Sequence, residues 1–230
     1  MFGLFDPNYI LLVMLPTLLL SIVAQIFVRA AFNRWGKIQN TVNLSGVDVA
    51  KRIIRGAGLL DVGLEATPQQ GGDHFDPRTN TIRLSQDVAT KPSVMSMAVV
   101  AHEMGHAQQY QENSFLIQMR SFLVPAMQLS PNIAYGLIIA GLIFSVSGLI
   151  WLGVIFFGVV VLFMLLTLPV EIDASMRGLR LLRDTGLMVS DEDQGGSRQV
   201  LTAAALTYVA AFVSALLTLL YYIMLAQSRD

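Results

Sequence analysis

The feature that most constrains this chain is a set of three long apolar runs without Asp, Glu, Lys or Arg. They cover residues 7–28, 121–170 and 199–228. A helix of about 20 apolar residues crosses the ~30 Å hydrocarbon core of a bilayer, so the first and last runs each suit one span. The middle run is too long for one. The chain is therefore predicted to be an integral membrane protein.

The middle run fits two spans joined by a tight turn. We expect transmembrane helices at 8–29, 132–148, 152–169 and 200–226, with the turn near SGLIWLG. A single very long or re-entrant helix is the competing interpretation. Composition agrees with a membrane protein, because hydrophobic residues make up 54% of the sequence. The predicted fold class is an α-helical integral membrane protein with about four transmembrane helices and a small cytoplasmic α+β domain.

The basic residues predict which side of the membrane the polar segments occupy. Nearly all of them flank two segments, 30–130 and 170–199, and such enrichment favours the cytoplasmic side. Two crossings separate these segments, so both lie on one side. We expect a multi-pass protein of the cytoplasmic (inner) membrane with its N-terminus outside. The first run is interpreted as a retained anchor, because Arg29 and Arg34 follow it instead of preceding it.

The first polar segment, 30–130, has the patterns of a small α+β domain. In LSGVDVAKRIIRGAGLL, apolar residues recur at helical spacing after Ser45, a residue type that caps helices. A turn is expected around Pro77, and the alternation in TIRLS, residues 81–85, predicts a strand of a small hairpin. A longer helix is expected at about 93–113.

The helix expected at 93–113 carries VVAHEMGHAQQY, in which His102 and His106 are one helical turn apart. Both imidazoles project from one face and can hold one tetrahedral ion. Glu103 lies about 100° around the helix, where it can reach a water on the open side of the metal. Zn²⁺ activates such a water and the glutamate accepts its proton, which is the chemistry of H-E-x-x-H metallopeptidases. The alternative is a pair of hydrogen-bonded helix histidines beside a surface glutamate.

A catalytic zinc usually has a third protein ligand and one open position. The chain has no cysteine, and its third histidine, His74, is interpreted as a polar hairpin residue that can also contact substrate. Glu112 follows His106 by six residues, but that geometry requires a glycine where this chain has Gln109. Glu171, in LPVEIDAS, directly follows the third expected span on the same side of the membrane. It is the preferred third ligand.

The second polar segment, 170–199, is expected to hold Glu171 on a helix. Two positions differ by about 200° around a helix, so Asp173 cannot face the same ion. Ser175, four residues after Glu171, shares its face and can hydrogen-bond a ligand. If Glu171 were only an interfacial carboxylate, Arg177 would be its partner.

Two further features of this segment are expected to be solvated. Arg177, Arg180 and Arg183 are predicted to form a stripe that faces solvent or lipid headgroups. The stretch SDEDQGGSRQ, residues 190–199, is predicted to be an acidic loop before the last span.

Three stretches, GGDHFDPRTNTIRLS, AVVAHEMGHAQQY and LPVEIDAS, resemble a bacterial family of membrane neutral zinc metallopeptidases. The chain is also similar to the heat-shock membrane metallopeptidases, whose later helix reads E-x-x-A-D. Ser175 stands where those relatives carry aspartate. The resemblance implies a zincin-like domain with an edge strand that pairs with extended peptide, for which residues 81–85 are the candidate. It also implies three zinc ligands and a catalytic base, which are His102, His106, Glu171 and Glu103.

The leading hypothesis is a membrane-anchored zinc metalloendopeptidase that hydrolyses peptide bonds at the cytoplasmic face. Because Glu171 follows the third span so closely, the ion is expected within about two turns of the membrane surface. The expected partners are the bilayer and a protein or peptide substrate associated with it.

Two alternatives stay open. A site-2-type intramembrane protease is disfavoured by the polar QQYQEN after the motif, since polar groups are costly at depth. A non-catalytic scaffold with a structural metal is disfavoured by Glu103, because a structural site needs no base. Nucleic-acid binding is not indicated, because acidic residues match the basic ones in number.

Overall fold

The computed structural model describes residues 7–229, which are mostly helical with one small sheet. The strands are β1 Gly63–Thr67, β2 His74–Asp76 and β3 Thr81–Ser85. The helices are α1 Pro7–Trp35, which contains a π-helical stretch, α2 Gly46–Gly56, α3 Gln86–Thr90, α4 Val94–Gln111, α5 Phe115–Phe144, α6 Ser147–Asp184 and α7 Asp191–Gln227.

Within residues 7–229, four helices are long and apolar enough to cross a membrane, namely α1, α5, α6 and α7. The middle apolar run therefore forms two helices, as expected, and the single long helix is wrong. The break lies at Ser145 and Val146, just before the turn we predicted in SGLIWLG. Ser145 has a left-handed backbone (φ 54°), and the Val146 N–H donates to the Gly141 carbonyl at 2.9 Å. This left-handed residue ends α5 before the expected turn.

The described chain folds as two compact units, each assembled from separate stretches. The first unit comprises residues 7–25, 118–169 and 206–229. Its core is rich in aromatic rings, and Phe157 and Tyr222 pack edge to face at 5.3 Å between centroids. Large apolar side chains such as Phe122 and Ile143 face outward. Outward apolar side chains suit helices that are surrounded by lipid.

The second unit comprises residues 26–117 and 170–205. Its main apolar core joins one face of α2, the sheet, α4 and the last turns of α6. Ser45 caps α2, as expected, and Ser93 caps α4. The Ser45 side chain accepts from the Asp48 N–H at the start of α2, and Ser93 accepts from the Ser96 N–H at the start of α4. The helix predicted after Ser45 and the helix predicted at about 93–113 thus both form, as α2 and α4.

The sheet has the strand order β1-β3-β2, with β1 parallel and β2 antiparallel to β3. The predicted hairpin is therefore present as β2 and β3, and its turn contains Asn80 in the left-handed conformation (φ 50°). The prediction that residues 81–85 form an edge strand is wrong. This strand, β3, is central and paired on both sides, which agrees with burial of four of its five residues. The edge strand that contacts α4 is β2.

The predicted acidic loop at 190–199 is also wrong, because α7 already begins at Asp191. The Ser190 hydroxyl accepts a hydrogen bond of 3.0 Å from the Asp193 N–H and so caps the helix. Acidic side chains in the first turn also stabilise the helix, because they interact favourably with its dipole. Gly196 packs against the Trp35 ring so closely that any Cβ would overlap it. The glycine therefore serves close packing here instead of a turn.

Candidate metal centre

His102, His106 and Glu171 converge at one point in the second unit. The Nε2 atoms of His102 and His106 lie 3.2 and 3.5 Å from the Glu171 Oε2 atom. The candidate ligand atoms of the three residues all lie within 4.8 Å of one another. Glu171 is only 3% exposed. The structure therefore brings the preferred third residue to the histidine pair, as the sequence predicted.

Small residues let the two helices that carry these side chains approach closely. A Cβ atom on Gly105 of α4 would overlap the Ala174 carbonyl of α6, and one on Gly178 would overlap the Ala101 carbonyl. These contacts run in opposite order along the two helices, which therefore pack antiparallel. On each helix the two small residues are four positions apart, so they share one face. This close packing of the two helices brings Glu171 beside His102 and His106.

The donor set fits Zn²⁺. It consists of two imidazole nitrogens and one carboxylate oxygen, the ligands of many catalytic zinc sites. Tetrahedral zinc with ligands at ~2.0–2.1 Å separates neighbouring ligand atoms by about 3.3 Å. The two distances to Glu171, 3.2 and 3.5 Å, are close to that value. Three protein ligands leave one coordination position for water or substrate.

Glu103 is buried beside this cluster and is held by the sheet. Its Oε2 accepts a hydrogen bond of 2.8 Å from the Phe75 N–H of β2. Burial raises the pKa of the Glu103 carboxyl, although the nearby His102 and His106 partly oppose the shift. For His106, burial acts to lower the pKa, but contact with Glu171 and the negative charge of Glu103 outweigh it and raise the pKa.

The other ring nitrogen of each histidine also has a partner. The His102 Nδ1 lies 3.1 Å from the Ser175 hydroxyl, and the His106 Nδ1 lies 3.0 Å from the Gln109 Oε1. Ser175 therefore contacts His102, a candidate ligand, and its support of a bound metal stays a prediction. With both Nδ1 atoms engaged, both Nε2 atoms are available to one ion.

Comparison with known proteins agrees with this arrangement. Residues 10–227 match the family described as "Putative neutral zinc metallopeptidase". The chain belongs to this family. It is 36% identical over 206 residues, 90% of this chain and 91% of the other, to the "Putative membrane protease YugP" of Bacillus subtilis (strain 168). No solved structure matches the chain significantly. Zinc is thus the ion that the family name implies for the His102, His106 and Glu171 cluster.

Behind His106, this family member has a chain of hydrogen bonds that joins α4 to α6. The Gln109 Nε2 donates to the Asp173 Oδ2 at 2.7 Å and to the Val170 carbonyl at 2.9 Å. Asp173 also accepts from the Arg177 Nε at 2.7 Å. Asp173 therefore points away from the metal cluster, as predicted, and supports the helix contact.

The predicted solvated stripe of arginines is wrong for Arg177. This side chain is 17% exposed, and its Nη1 atom donates a hydrogen bond of 2.5 Å to the Glu112 Oε2. Arg180 and Arg183 are exposed, as expected. Arg177 pairs with Asp173 and Glu112, not with Glu171, because it lies four residues after Asp173 on the same helix face. Glu112 lies outside the metal cluster, in agreement with its rejection as a ligand.

His74 also lies outside the metal cluster. It is exposed on β2, and its Nδ1 is 2.7 Å from the Gly72 carbonyl. It directly precedes Phe75, whose N–H holds Glu103. Its contact with substrate stays a prediction.

Sequence reasoning did not find the roles of Gln109 and Gly178. Gln109 follows His106 by three residues, a spacing that places both on one helix face. Gly178 follows Ala174 by four residues, which repeats the spacing of Ala101 and Gly105 on the other helix. Two matching pairs of small residues were the signal for close helix packing.

Proposed function

We propose that the protein is a membrane-anchored zinc metalloendopeptidase that hydrolyses peptide bonds in membrane or membrane-proximal proteins. The observation that carries this proposal is the convergence of His102, His106 and Glu171 with the buried carboxylate of Glu103 beside them. Membership of a zinc metallopeptidase family and similarity to a membrane protease of Bacillus subtilis support it.

In the proposed reaction, Glu103 is the general base. Zinc bound at the cluster would lower the pKa of a water and polarise the substrate carbonyl. Glu103 accepts the proton of the attacking water and delivers it to the leaving amine nitrogen. The Phe75 N–H orients this carboxylate through one oxygen. Burial, which raises the pKa of Glu103, makes it a better proton acceptor than an exposed glutamate.

The proposed substrate lies extended along β2. This strand is at the edge of the sheet, and its Phe75 N–H is bonded to the proposed base. Pairing with a strand edge holds a peptide through its backbone, so the scissile bond can be aligned without a strict sequence requirement. A cavity of about 280 Å³ beside β2 and α4, lined in part by Leu59, Phe75 and Tyr110, can take a substrate side chain.

The two alternative functions have less support. A site-2-type protease carries its metal motif on helices within the bilayer, but α4 is not among the four candidate spans found in the described residues. A scaffold with a structural metal requires no base, whereas Glu103 is buried at the cluster and held by a backbone amide.

The decisive experiment is peptide hydrolysis by the full chain, purified in detergent and loaded with zinc. We expect Glu103→Gln to lower turnover by about 10²- to 10⁴-fold while bound zinc is unchanged, because only the proton acceptor is lost. The matched control is Glu192→Gln, an exposed position at the start of α7, which should keep normal turnover. Equal hydrolysis by Glu103→Gln and the unaltered protein would contradict the mechanism.

We also propose that the metal centre faces the cytoplasm. The absence of cysteine from the sequence makes this orientation simple to test. Gln70→Cys and Asp191→Cys, both exposed positions, should react with a membrane-impermeant maleimide only after cells are opened. Labelling of either variant in intact cells would contradict the orientation but not the peptidase activity.

A further inference from the structure

Gln109 is a buried polar side chain that the proposed reaction does not use. It is 1% exposed, yet its amide group makes three hydrogen bonds. The Oε1 atom lies 3.0 Å from the His106 Nδ1, and the Nε2 atom donates to the Val170 carbonyl and the Asp173 carboxylate. One side chain therefore contacts a candidate ligand on α4 and the residue directly before another candidate ligand on α6.

These partners determine which way round the amide lies. The Val170 carbonyl and the Asp173 carboxylate are both acceptors, so the NH₂ group of Gln109 must face them. The Oε1 atom then faces His106, whose Nδ1 must carry the hydrogen. The Nε2 atom of His106 is left with a lone pair, and it is this atom that lies 3.5 Å from Glu171. Gln109 thus selects the His106 tautomer that can bind a metal.

His102 has no comparable partner. The Ser175 hydroxyl at 3.1 Å can donate or accept, so it does not select one tautomer of His102. The two histidines are therefore held unequally, and His106 is the one whose orientation is fixed by the protein.

We propose that Gln109 is a positioning residue that fixes His106 and Glu171 relative to each other and thereby sets the affinity for zinc. Its hydrogen bond to Val170 fixes the backbone of α6 one residue before Glu171. Asp173 also accepts from Arg177, which in turn donates to Glu112, the residue directly after α4. We name Gln109, Asp173, Arg177 and Glu112 the clasp.

Charge explains why an amide occupies this position. The cluster contains the carboxylate of Glu171, that of Glu103 lies beside it, and Asp173 is 2.7 Å from the Gln109 Nε2. A carboxylate at 109 would face Asp173 and could not donate to it or to Val170. A neutral amide offers His106 an acceptor while giving α6 two donors.

This inference rests on the proposed zinc site but not on peptidase activity, so the test measures zinc affinity. The full chain in detergent competes for Zn²⁺ with a chromophoric chelator. Gln109→Met keeps the length and helix preference of the side chain but removes every hydrogen bond. We expect it to weaken zinc binding by about 10- to 100-fold, as loss of a ligand's supporting partner typically does.

The matched control is Gln108→Met, one position earlier and about 100° around the same helix. Its zinc affinity should stay within about twofold of the unaltered protein, because that side chain does not face His106. Asp173→Leu and Arg177→Met should weaken binding less than Gln109→Met does, in that order, because each lies one hydrogen bond further from the metal.

A spectroscopic measurement separates positioning from general destabilisation. Co²⁺ in place of zinc should give an altered visible spectrum in Gln109→Met, since one imidazole is no longer held, and an unaltered spectrum in Gln108→Met. If Gln109→Met does not fold, Asp173→Leu at a partly exposed position carries the test, because leucine accepts no hydrogen bond, with an expected loss of a few-fold in zinc affinity.

The outcomes distinguish this inference from the proposed function. A folded Gln109→Met variant with normal zinc affinity and a normal cobalt spectrum would overturn the inference and leave the metal site intact. Normal zinc affinity in Asp173→Leu would overturn it when Gln109→Met fails to fold. Failure of the unaltered protein to bind zinc would overturn both.

Discussion

Two groups of charged side chains in the second unit use the same residue types in different surroundings. On the sheet, Arg83 bonds Glu65 at 3.0 Å and Asp76 at 2.7 Å, and the Glu65 side chain is 56% exposed. In the clasp, Arg177 joins two carboxylates in the same way, but these bonds continue to the buried Gln109 and to His106. Water screens the first group, so its ion pairs contribute little. The second group is connected to the metal cluster, so we expect its loss to affect function.

The largest expected effect comes from removing a proposed ligand. Glu171→Gln should weaken zinc binding by more than about 100-fold, which exceeds the usual effect of losing a supporting residue. The same change on the sheet, Glu65→Gln, should leave zinc binding unchanged. Competition with a chelator measures both affinities. Similar zinc affinities in the two variants would contradict the assignment of Glu171 as a zinc ligand.

A second prediction concerns His102, whose Nδ1 partner, Ser175, fixes its tautomer less firmly than Gln109 fixes that of His106. Ser175→Asp supplies a carboxylate that can only accept from the His102 Nδ1, whereas the serine hydroxyl can donate or accept. We expect zinc binding to tighten by up to about 10-fold, because a carboxylate partner fixes the tautomer and raises ligand basicity. Ser147→Asp, at the start of α6 and remote in sequence from the cluster, is the control and should not change zinc affinity. Weaker binding in Ser175→Asp would show that His102 already has its best partner.

A smaller effect is expected on the stability of the fold, which Arg177→Met should lower more than Arg83→Met does. Arg177→Met removes the hydrogen bonds that Asp173 and Glu112 accept, and it should destabilise the metal-free protein by about 1 kcal/mol. Arg83→Met should lower the melting temperature less, because its carboxylate partners remain hydrated. Thermal unfolding of the two variants in the same detergent gives the comparison, and a larger shift for Arg83→Met would contradict it.

The smallest expected effect is a pH dependence on the sheet. Hydrogen bonds from Arg83, the Arg78 N–H and Thr79 lower the pKa of Asp76 to about 2. A carboxyl with a lowered folded pKa stabilises the fold above its ordinary pKa of about 3.9, and this contribution is lost as pH falls towards 2. Asp76→Asn should therefore lower the melting temperature slightly at pH 5 and not at pH 2. An equal difference at both pH values would count against this assignment.

The sequence predicted those features that depend on local pattern. The apolar runs predicted the four long helices, and the spacing of His102 and His106 predicted a shared helix face. Glu171 was chosen as the third ligand because the second and third expected membrane spans return the chain to the side of the membrane that carries the histidine pair. The strand order was not predictable in the same way, because β3 becomes central only when β1 pairs with it in parallel from a distant stretch.

The remaining errors have a common physical cause. Gly195 and Gly196 indicate a loop by local preference, but Gly196 is selected by its close contact with Trp35. From the sequence alone Arg177 resembles a surface arginine, but in the structure Glu112, at the C-terminal end of α4, accepts its second hydrogen bond. Such pairings depend on tertiary packing, which overrides local preference and cannot be derived from spacing along one segment.

The central claim is that His102, His106 and Glu171 together hold one zinc ion. The most direct measurement is the zinc K-edge X-ray absorption of the loaded full chain. We predict a shell of nitrogen and oxygen ligands at ~2.0–2.1 Å with outer scattering from two imidazole rings, reduced to one ring in His106→Ala. An oxygen-only shell, or a spectrum that His106→Ala leaves unchanged, would contradict the account.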